Sequence, residues 1–163
     1  MTKELREFTP ERKEEDEGSF EQERIMVSTA KKIALYVSGA AIHKYTNELQ
    51  NEQEIVALLA DSIIEIFAME SGLLRTMKKI KREGEHKAHL HGAATRVYVH
   101  NAFAEIVTMA RQVLASLFEG EELTRELKYL EKWSRFIPVN TIALRRQIAD
   151  STISATRYNL TKV

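Results

Sequence analysis

The sequence contains no cysteine. This absence excludes disulfides, a thiolate nucleophile and the cysteine ligands of zinc fingers and iron–sulfur clusters. It also fits a reducing, intracellular compartment, and we expect a cytoplasmic protein. Residues 1–16 are charged and lack the apolar stretch that a secretory signal needs, so we expect no such signal.

An excess of charge of either sign is also missing, because 24 Lys+Arg residues balance 24 Asp+Glu residues. A general nucleic-acid binder would carry a basic excess on one face, so we expect no nucleic-acid partner, although a local patch stays compatible with the balance. No run approaches the roughly 18 uninterrupted apolar residues of a membrane span. We therefore expect no transmembrane helix and no membrane association from this chain.

Turn-forming residues are scarce, with two prolines and six glycines in 163 residues. Apolar residues recur instead at helical spacing, which predicts an all-α fold: an up-and-down antiparallel bundle of three long helices plus one or two shorter closing helices. Residues 1–18 are rich in charge and poor in apolar side chains, and we expect a linker or flexible arm there. Residues 19–163 are predicted to form a single bundle domain.

Capping residues indicate where the helices begin and end. Ser19 and Asn140 are predicted N-caps, Gly84 is a natural stop, and Pro138 closes the fourth helix. The five helices are expected at about 19–49, 52–82, 86–118, 121–137 and 140–157.

The second of these helices is apolar over a wide arc and carries only a narrow polar stripe. The stripe consists of Glu54, Asp61, Glu65 and Thr76. A helix that is apolar on most sides normally lies at the centre of a bundle, so we expect this helix to be central.

Three histidines, His86, His89 and His91, cluster near the start of the third helix, and Glu83 with His86 makes one Glu-x-x-His motif. A di-iron bundle needs two such motifs and two further inward glutamates. The second motif does not exist in this sequence, so a solvated helix start is the better interpretation. Phosphate-binding glycine loops and nucleophile elbows are missing too.

The segment 75–87 is basic and has two interpretations. Such a patch attracts phosphate, acidic protein or an anionic surface, but cations near the C-terminus of a helix are also favoured by the helix dipole. We favour the second, structural interpretation. The basic residues are Arg75, Lys78, Lys79, Lys81, Arg82 and Lys87.

One carboxylate, Glu70, falls on the apolar seam of the second helix, and His100 falls on the seam of the third. At least one of them should be buried, and a buried charge needs a partner. We expect Glu70 to pair with His100 or with Arg75, Arg96 or Arg111. The pair is interpreted as structural, because no nucleophile or cofactor loop accompanies it. We therefore assign no catalytic, cofactor-binding or metal-binding residue.

Three short stretches of the second helix, Asn51–Gln53, Leu59–Asp61 and Ile64–Met69, carry a family resemblance. Together with the preceding helix, Ala30–Lys44, they resemble the appended C-terminal domain of very-long-chain-type acyl-CoA dehydrogenases. The resemblance covers most of residues 25–160, but its distinctive part is about twenty residues long and contains no active-site motif.

The resemblance implies a parent enzyme that uses FAD to remove hydrogens from the α and β carbons of fatty acyl-CoA thioesters. The general base, the flavin site and the acyl-CoA groove of that family lie in the catalytic portion upstream of this domain. The implied role is an accessory domain, inactive alone, that serves stability, packing or oligomerisation of the catalytic portion, with a homo-oligomer such as a dimer expected. An independent helical module for dimerisation or protein interaction is the alternative.

Overall fold

The computed structural model describes residues 20–156, and within them five α-helices and one 3₁₀ segment occur without any β-strand. Three long helices precede two shorter ones, so the predicted all-α bundle is confirmed. The predicted arm at residues 1–18 and the N-cap Ser19 lie outside the described residues. The helices are α1 (Glu21–Tyr45), α2 (Gln53–Glu83), α3 (Glu85–Leu117), α4 (Gly120–Trp133) and α5 (Thr141–Ala155), and the 3₁₀ segment is Thr46–Asn51.

Two of the predicted helix boundaries are confirmed. Gly84 has a φ of 85°, which a glycine adopts readily, and it separates the end of α2 from the start of α3. Asn140 caps α5, because its side-chain oxygen accepts a hydrogen bond from the backbone N–H of Ala143 at 3.0 Å.

Two other predicted boundaries were too long. The first helix was expected to reach Leu49, but α1 ends at Tyr45, where Thr46 takes a positive φ of 48° that breaks the α-helix. The fourth was expected to reach Ile137, but α4 ends at Trp133. Pro138 keeps the helix from reaching Ile137, because proline has no N–H to continue a helix and disfavours helical backbone in the residue before it.

Contacts at both ends of the bundle define the directions of the long helices. Near its start, α1 places Glu23 3.5 Å from Arg96 of α3, and near its end Lys44 donates to the backbone carbonyl of Leu117 at 2.6 Å. The two helices α1 and α3 therefore run parallel, and α2 runs antiparallel to both. Shorter α4 packs on α3 and α1, and α5 packs on α3. The largest fully buried apolar side chains are Met26, Ile33, Val37, Met69, Val99, Ile106, Val113, Leu114 and Leu130.

The stretch Glu21–Asn51 is long and apolar enough to cross a membrane by length and composition, with a mean hydropathy of 1.3 over its most apolar window. Lys31 and Lys32 interrupt its apolar residues. In the bundle 61% of that window is buried. The apolar character of α1 is thus used for packing against the other helices, as in the core helix of a globular domain.

A buried glutamate attaches α4 to α1. Glu126 is only 1% exposed, and its carboxylate accepts a hydrogen bond from the hydroxyl of Tyr36. The ring of Trp133 packs edge-on against Tyr36 with centroids 5.1 Å apart, and the ammonium of Lys32 lies 4.2 Å from the Trp133 ring. Burial lowers the pKa of Lys32, and the charge of Lys132 lowers it further. Polar and aromatic contacts together hold the short helix in place.

We expect Glu126→Ala to destabilise the domain by about 1–3 kcal/mol, because it leaves the buried hydroxyl of Tyr36 without its acceptor. Urea unfolding followed by circular dichroism measures the change. Glu122→Ala on the same helix is the matched control. Its side chain is 56% exposed and pairs only with Arg125, at 3.2 Å, so we expect a loss below about 1 kcal/mol. Equal losses in the two variants would contradict this account of how α4 is attached.

Candidate docking surface

The histidine cluster does not gather metal ligands. His86 and His89 are exposed, and Glu83 is engaged by Arg82 at 2.5 Å and Lys79 at 3.2 Å. Hydrogen bonds from Arg82 and Lys79 lower the pKa of Glu83. Gly84 separates Glu83 from His86, so the two residues of the motif lie on different helices. Within residues 20–156 no group of three or more His, Asp or Glu side chains is arranged to hold a metal ion.

The basic segment is used in part by the fold. Lys79 is buried and Arg82 pairs with Glu83, in keeping with the structural interpretation of this helix end. Four further cations of the segment are exposed around the turn between α2 and α3. They are Arg75, Lys78, Lys81 and Lys87.

The predicted pair of Glu70 with His100 is wrong. Glu70 binds Lys31 of α1 at 2.6 Å, and the two side chains are 41% and 49% exposed. His100 is largely covered, with a side chain 10% exposed, but its Nε2 lies 3.5 Å from Glu23 and not beside Glu70. The buried row of α2 passes through Ile66, Met69 and Leu73 and so leaves Glu70 at its edge.

Glu23 is the buried carboxylate that the sequence reasoning missed. Its side chain is 4% exposed and lies 3.5 Å from both Arg96 and His100, so it joins α1 to α3. The helical spacing of the first helix could have predicted this burial. Glu23 precedes Met26 by three residues and Ala30 by seven, so it lies on the predicted apolar seam of that helix. Arg96, one of the predicted cationic partners, therefore reaches a buried glutamate other than Glu70.

A depression of about 230 Å³ lies between the start of α3 and α5, and Arg96 and His89 are among its lining residues. Arg96 already forms an ion pair with Glu23, and its guanidinium carbon lies 4.7 Å from the ring centroid of Phe20. Arg96, one of the polar residues that line the depression, is thus part of the contact between α1 and α3.

The most unusual surface is apolar. Five large side chains of α1 and α2 point to solvent on the same side of the bundle, and Phe67 at its centre is 72% exposed. Monomeric proteins seldom leave a contiguous apolar patch of this kind uncovered, and such patches usually mark interaction sites. We call this surface the α1/α2 face and define it by Leu35, Ile42, Ile63, Phe67 and Leu74.

A groove of about 320 Å³ opens at one end of the α1/α2 face. Its walls are Val27 of α1 and Leu73, Leu74 and Met77 of α2, and charged side chains including Lys31 and Glu70 stand at its rim. This volume lies near the lower end of the range of about 300–1,000 Å³ for ligand pockets. The groove is therefore large enough to take an apolar side chain from a partner.

Comparisons with known proteins define the class of this bundle. Residues 29–132 match the family described as acyl-CoA dehydrogenase, C-terminal domain. The chain is 38% identical over 160 residues to a probable acyl-CoA dehydrogenase of Bacillus subtilis (strain 168), and the alignment covers 98% of this chain and 27% of that relative. It also matches the crystal structure of an acyl-CoA dehydrogenase complexed with FAD from Bacillus anthracis, with a TM-score of 0.89, 33% identity and coverage of 98% of this chain and 26% of that one.

The fold is thus that of a helical domain found within a larger flavoenzyme family. This chain belongs to the acyl-CoA dehydrogenase C-terminal domain family. It spans about a quarter of the length of the relatives it matches. The family resemblance seen in residues of the second helix is confirmed at the level of the acyl-CoA dehydrogenase C-terminal domain.

We expect Glu70→Ala to cost less than about 1 kcal/mol, because exposed ion pairs contribute little to stability. Glu23→Ala should cost more, about 1–3 kcal/mol, since it removes the buried carboxylate that Arg96 and His100 face. Thermal and urea unfolding of the two variants beside the unsubstituted chain measures both effects. A larger loss for Glu70→Ala than for Glu23→Ala would show that the buried face of α2 has been assigned incorrectly.

The free chain is also expected to self-associate at high concentration through the uncovered α1/α2 face. Phe67→Asp should shift it toward monomer in sedimentation experiments, because a carboxylate is costly to desolvate in an apolar contact. Ala104→Asp, at an exposed position of α3, is the control and should leave the association unchanged. Strictly monomeric sedimentation of the unsubstituted chain would contradict the expectation.

Proposed function

We propose that this chain is the non-catalytic C-terminal accessory domain of an FAD-dependent acyl-CoA dehydrogenase of the very-long-chain type. In this proposal the enzyme is cytoplasmic and removes hydrogens from the α and β carbons of a fatty acyl-CoA. Flavin, acyl-CoA and the general base belong to the catalytic portion of the polypeptide. The domain serves the stability, packing or oligomerisation of that portion.

The observation that carries the proposal is the coverage of the structural match. Nearly the whole chain, 98%, corresponds to about a quarter of the FAD-bound Bacillus anthracis enzyme. A bundle that accounts for so small a share of a flavoenzyme, and that is matched from end to end, is more simply a domain of such an enzyme than an enzyme in its own right.

The use of polar groups within the bundle supports the same role. Glu23 and Glu126 join helices, and Thr76 and Thr95 share a hydrogen bond of 2.7 Å between α2 and α3. Acid–base catalysis needs a titratable group within reach of substrate. Both buried glutamates instead face neighbouring helices, while the α1/α2 face offers apolar contact area.

We expect the free 163-residue chain to bind neither FAD nor acyl-CoA at micromolar concentrations in isothermal titration calorimetry. The Bacillus anthracis enzyme, which was crystallised with FAD, is the positive control. Expression of the full reading frame that contains this domain should give a protein with a flavin absorbance spectrum and acyl-CoA-dependent reduction of the flavin. Micromolar FAD binding by the free chain would overturn the accessory role. A reading frame that encodes this chain alone, with no flavin dehydrogenase beside it, would favour an independent helical interaction module.

A further inference from the structure

We propose that the α1/α2 face is the surface on which the catalytic portion of the same acyl-CoA dehydrogenase polypeptide packs. The inference rests on the function proposed above and deepens it, because it assigns one side of the bundle and one partner to the contact. The partner surface should be apolar at its centre and should present a large side chain to the groove beside Leu74.

The distribution of exposed apolar side chains singles out this side. Among the described residues eleven large apolar side chains are exposed, and seven of them belong to α1 and α2. The longest helix, α3, exposes only Tyr98, whose hydroxyl donates to Glu65 at 2.7 Å. Scattered single apolar residues on a surface are ordinary, but a concentration on two adjacent helices is not.

The ion pair between Lys31 and Glu70 fixes how the two helices lie beside each other. Leu35 is one turn beyond Lys31, and Phe67 is about one turn before Glu70. Because the helices are antiparallel, these two side chains lie at the same level of the bundle. Ile42 and Ile63 follow at the next levels in the same direction. The face is therefore one continuous strip along both helices.

The groove gives the strip a place for an anchor. Its apolar walls from α1 and α2 adjoin Leu74, which also belongs to the face. Interfaces commonly depend on a few large side chains that fill such pockets near the contact. The Lys31–Glu70 pair lies at the rim of the groove. Charges at a rim disfavour partners of the wrong charge and stay hydrated, because they are not at the centre of the contact.

The choice of the catalytic portion over a second copy of the chain follows from covalent connection. In the relatives, the region that matches this bundle accounts for 26–27% of the polypeptide. The remaining three quarters of the polypeptide are therefore covalently tethered to it. A tethered partner acts at an effective concentration on the order of millimolar. A second copy at micromolar concentration competes poorly with such a partner for the same surface.

The test measures whether the face is covered in a whole enzyme. The Bacillus subtilis relative is prepared with its aligned region replaced by this chain, carrying either Phe67→Cys or the control Arg111→Cys, an exposed position on α3. The free chain has no cysteine of its own, so at a dilution at which it is monomeric it gives the uncovered labelling rate for each position. Maleimide labelling is read on the peptide that contains each position by mass spectrometry.

We expect the cysteine at position 67 to label at least about tenfold more slowly in the whole enzyme than in the free chain, which corresponds to a docked-to-undocked ratio of about ten. The cysteine at position 111 should label at similar rates in both. Equal rates at position 67 in an enzyme that retains FAD and activity would overturn the docking assignment and leave the proposed function standing. Protection that grows with enzyme concentration would overturn it in favour of a second copy.

If the hybrid enzyme does not retain FAD, the same pair of cysteines is placed at the aligned positions of the unmodified Bacillus subtilis relative. The labelling rates at the two positions then show whether the aligned face is covered in a native polypeptide. Lack of flavin and of dehydrogenase activity in that relative would count against the proposed function, whatever the labelling shows.

Discussion

The structure depends on the fact that α2 carries apolar side chains on two adjacent sides, whereas a three-helix core covers only one of them. Ile66, Met69 and Leu73 lie in the core against α1 and α3, and Ile63, Phe67 and Leu74 remain in solvent. Burial of a side chain such as Leu or Phe stabilises a fold by about 1.5–3 kcal/mol. Because Ile63, Phe67 and Leu74 are exposed, the bundle does not obtain this stabilisation from them by packing of its own helices. In the proposed enzyme, the catalytic portion that covers α2 supplies it.

Because apolar contacts are tolerant of sliding and rotation, a helix with two apolar sides needs other contacts to select its orientation. Polar groups at the helix boundaries supply them here. Thr76 meets Thr95 inside the bundle, and Glu65 accepts from Tyr98 at its edge, which turns the polar stripe of α2 toward α3. Partial burial raises the pKa of Tyr98 to about 12, and its hydrogen bond to Glu65 acts in the same direction. An unpaired buried polar group is costly, so the Thr76–Thr95 pair penalises the alternative orientation.

This arrangement explains which parts of the fold were predictable from the sequence. Helix number and order follow from periodicity and from strong local signals, such as the positive φ of Gly84 and the cap at Asn140. The orientation of α2 does not follow. It was predicted to be the central helix, but α3 is the helix that packs against all four others, and Thr76 of the polar stripe of α2 is buried. The same error placed Glu70 in the core. Periodicity locates a buried face sharply only when the sides next to it are polar, and in α2 one of those neighbouring sides is apolar.

The α2 part of the α1/α2 face was not predicted for a related reason. An apolar residue in a helix does not indicate whether it is covered by the same domain or by another one. Phe67 and Met69 are two positions apart in one family-like stretch, yet one is 72% exposed and the other fully buried. Only the placement of α1 and α3 distinguishes them. In the proposed enzyme both residues are covered, one by the bundle and one by the catalytic portion. Loss of either contact then weakens the attachment of the other, because the same helix carries both. An accessory domain without catalytic groups can in this way affect the stability of the portion that has them.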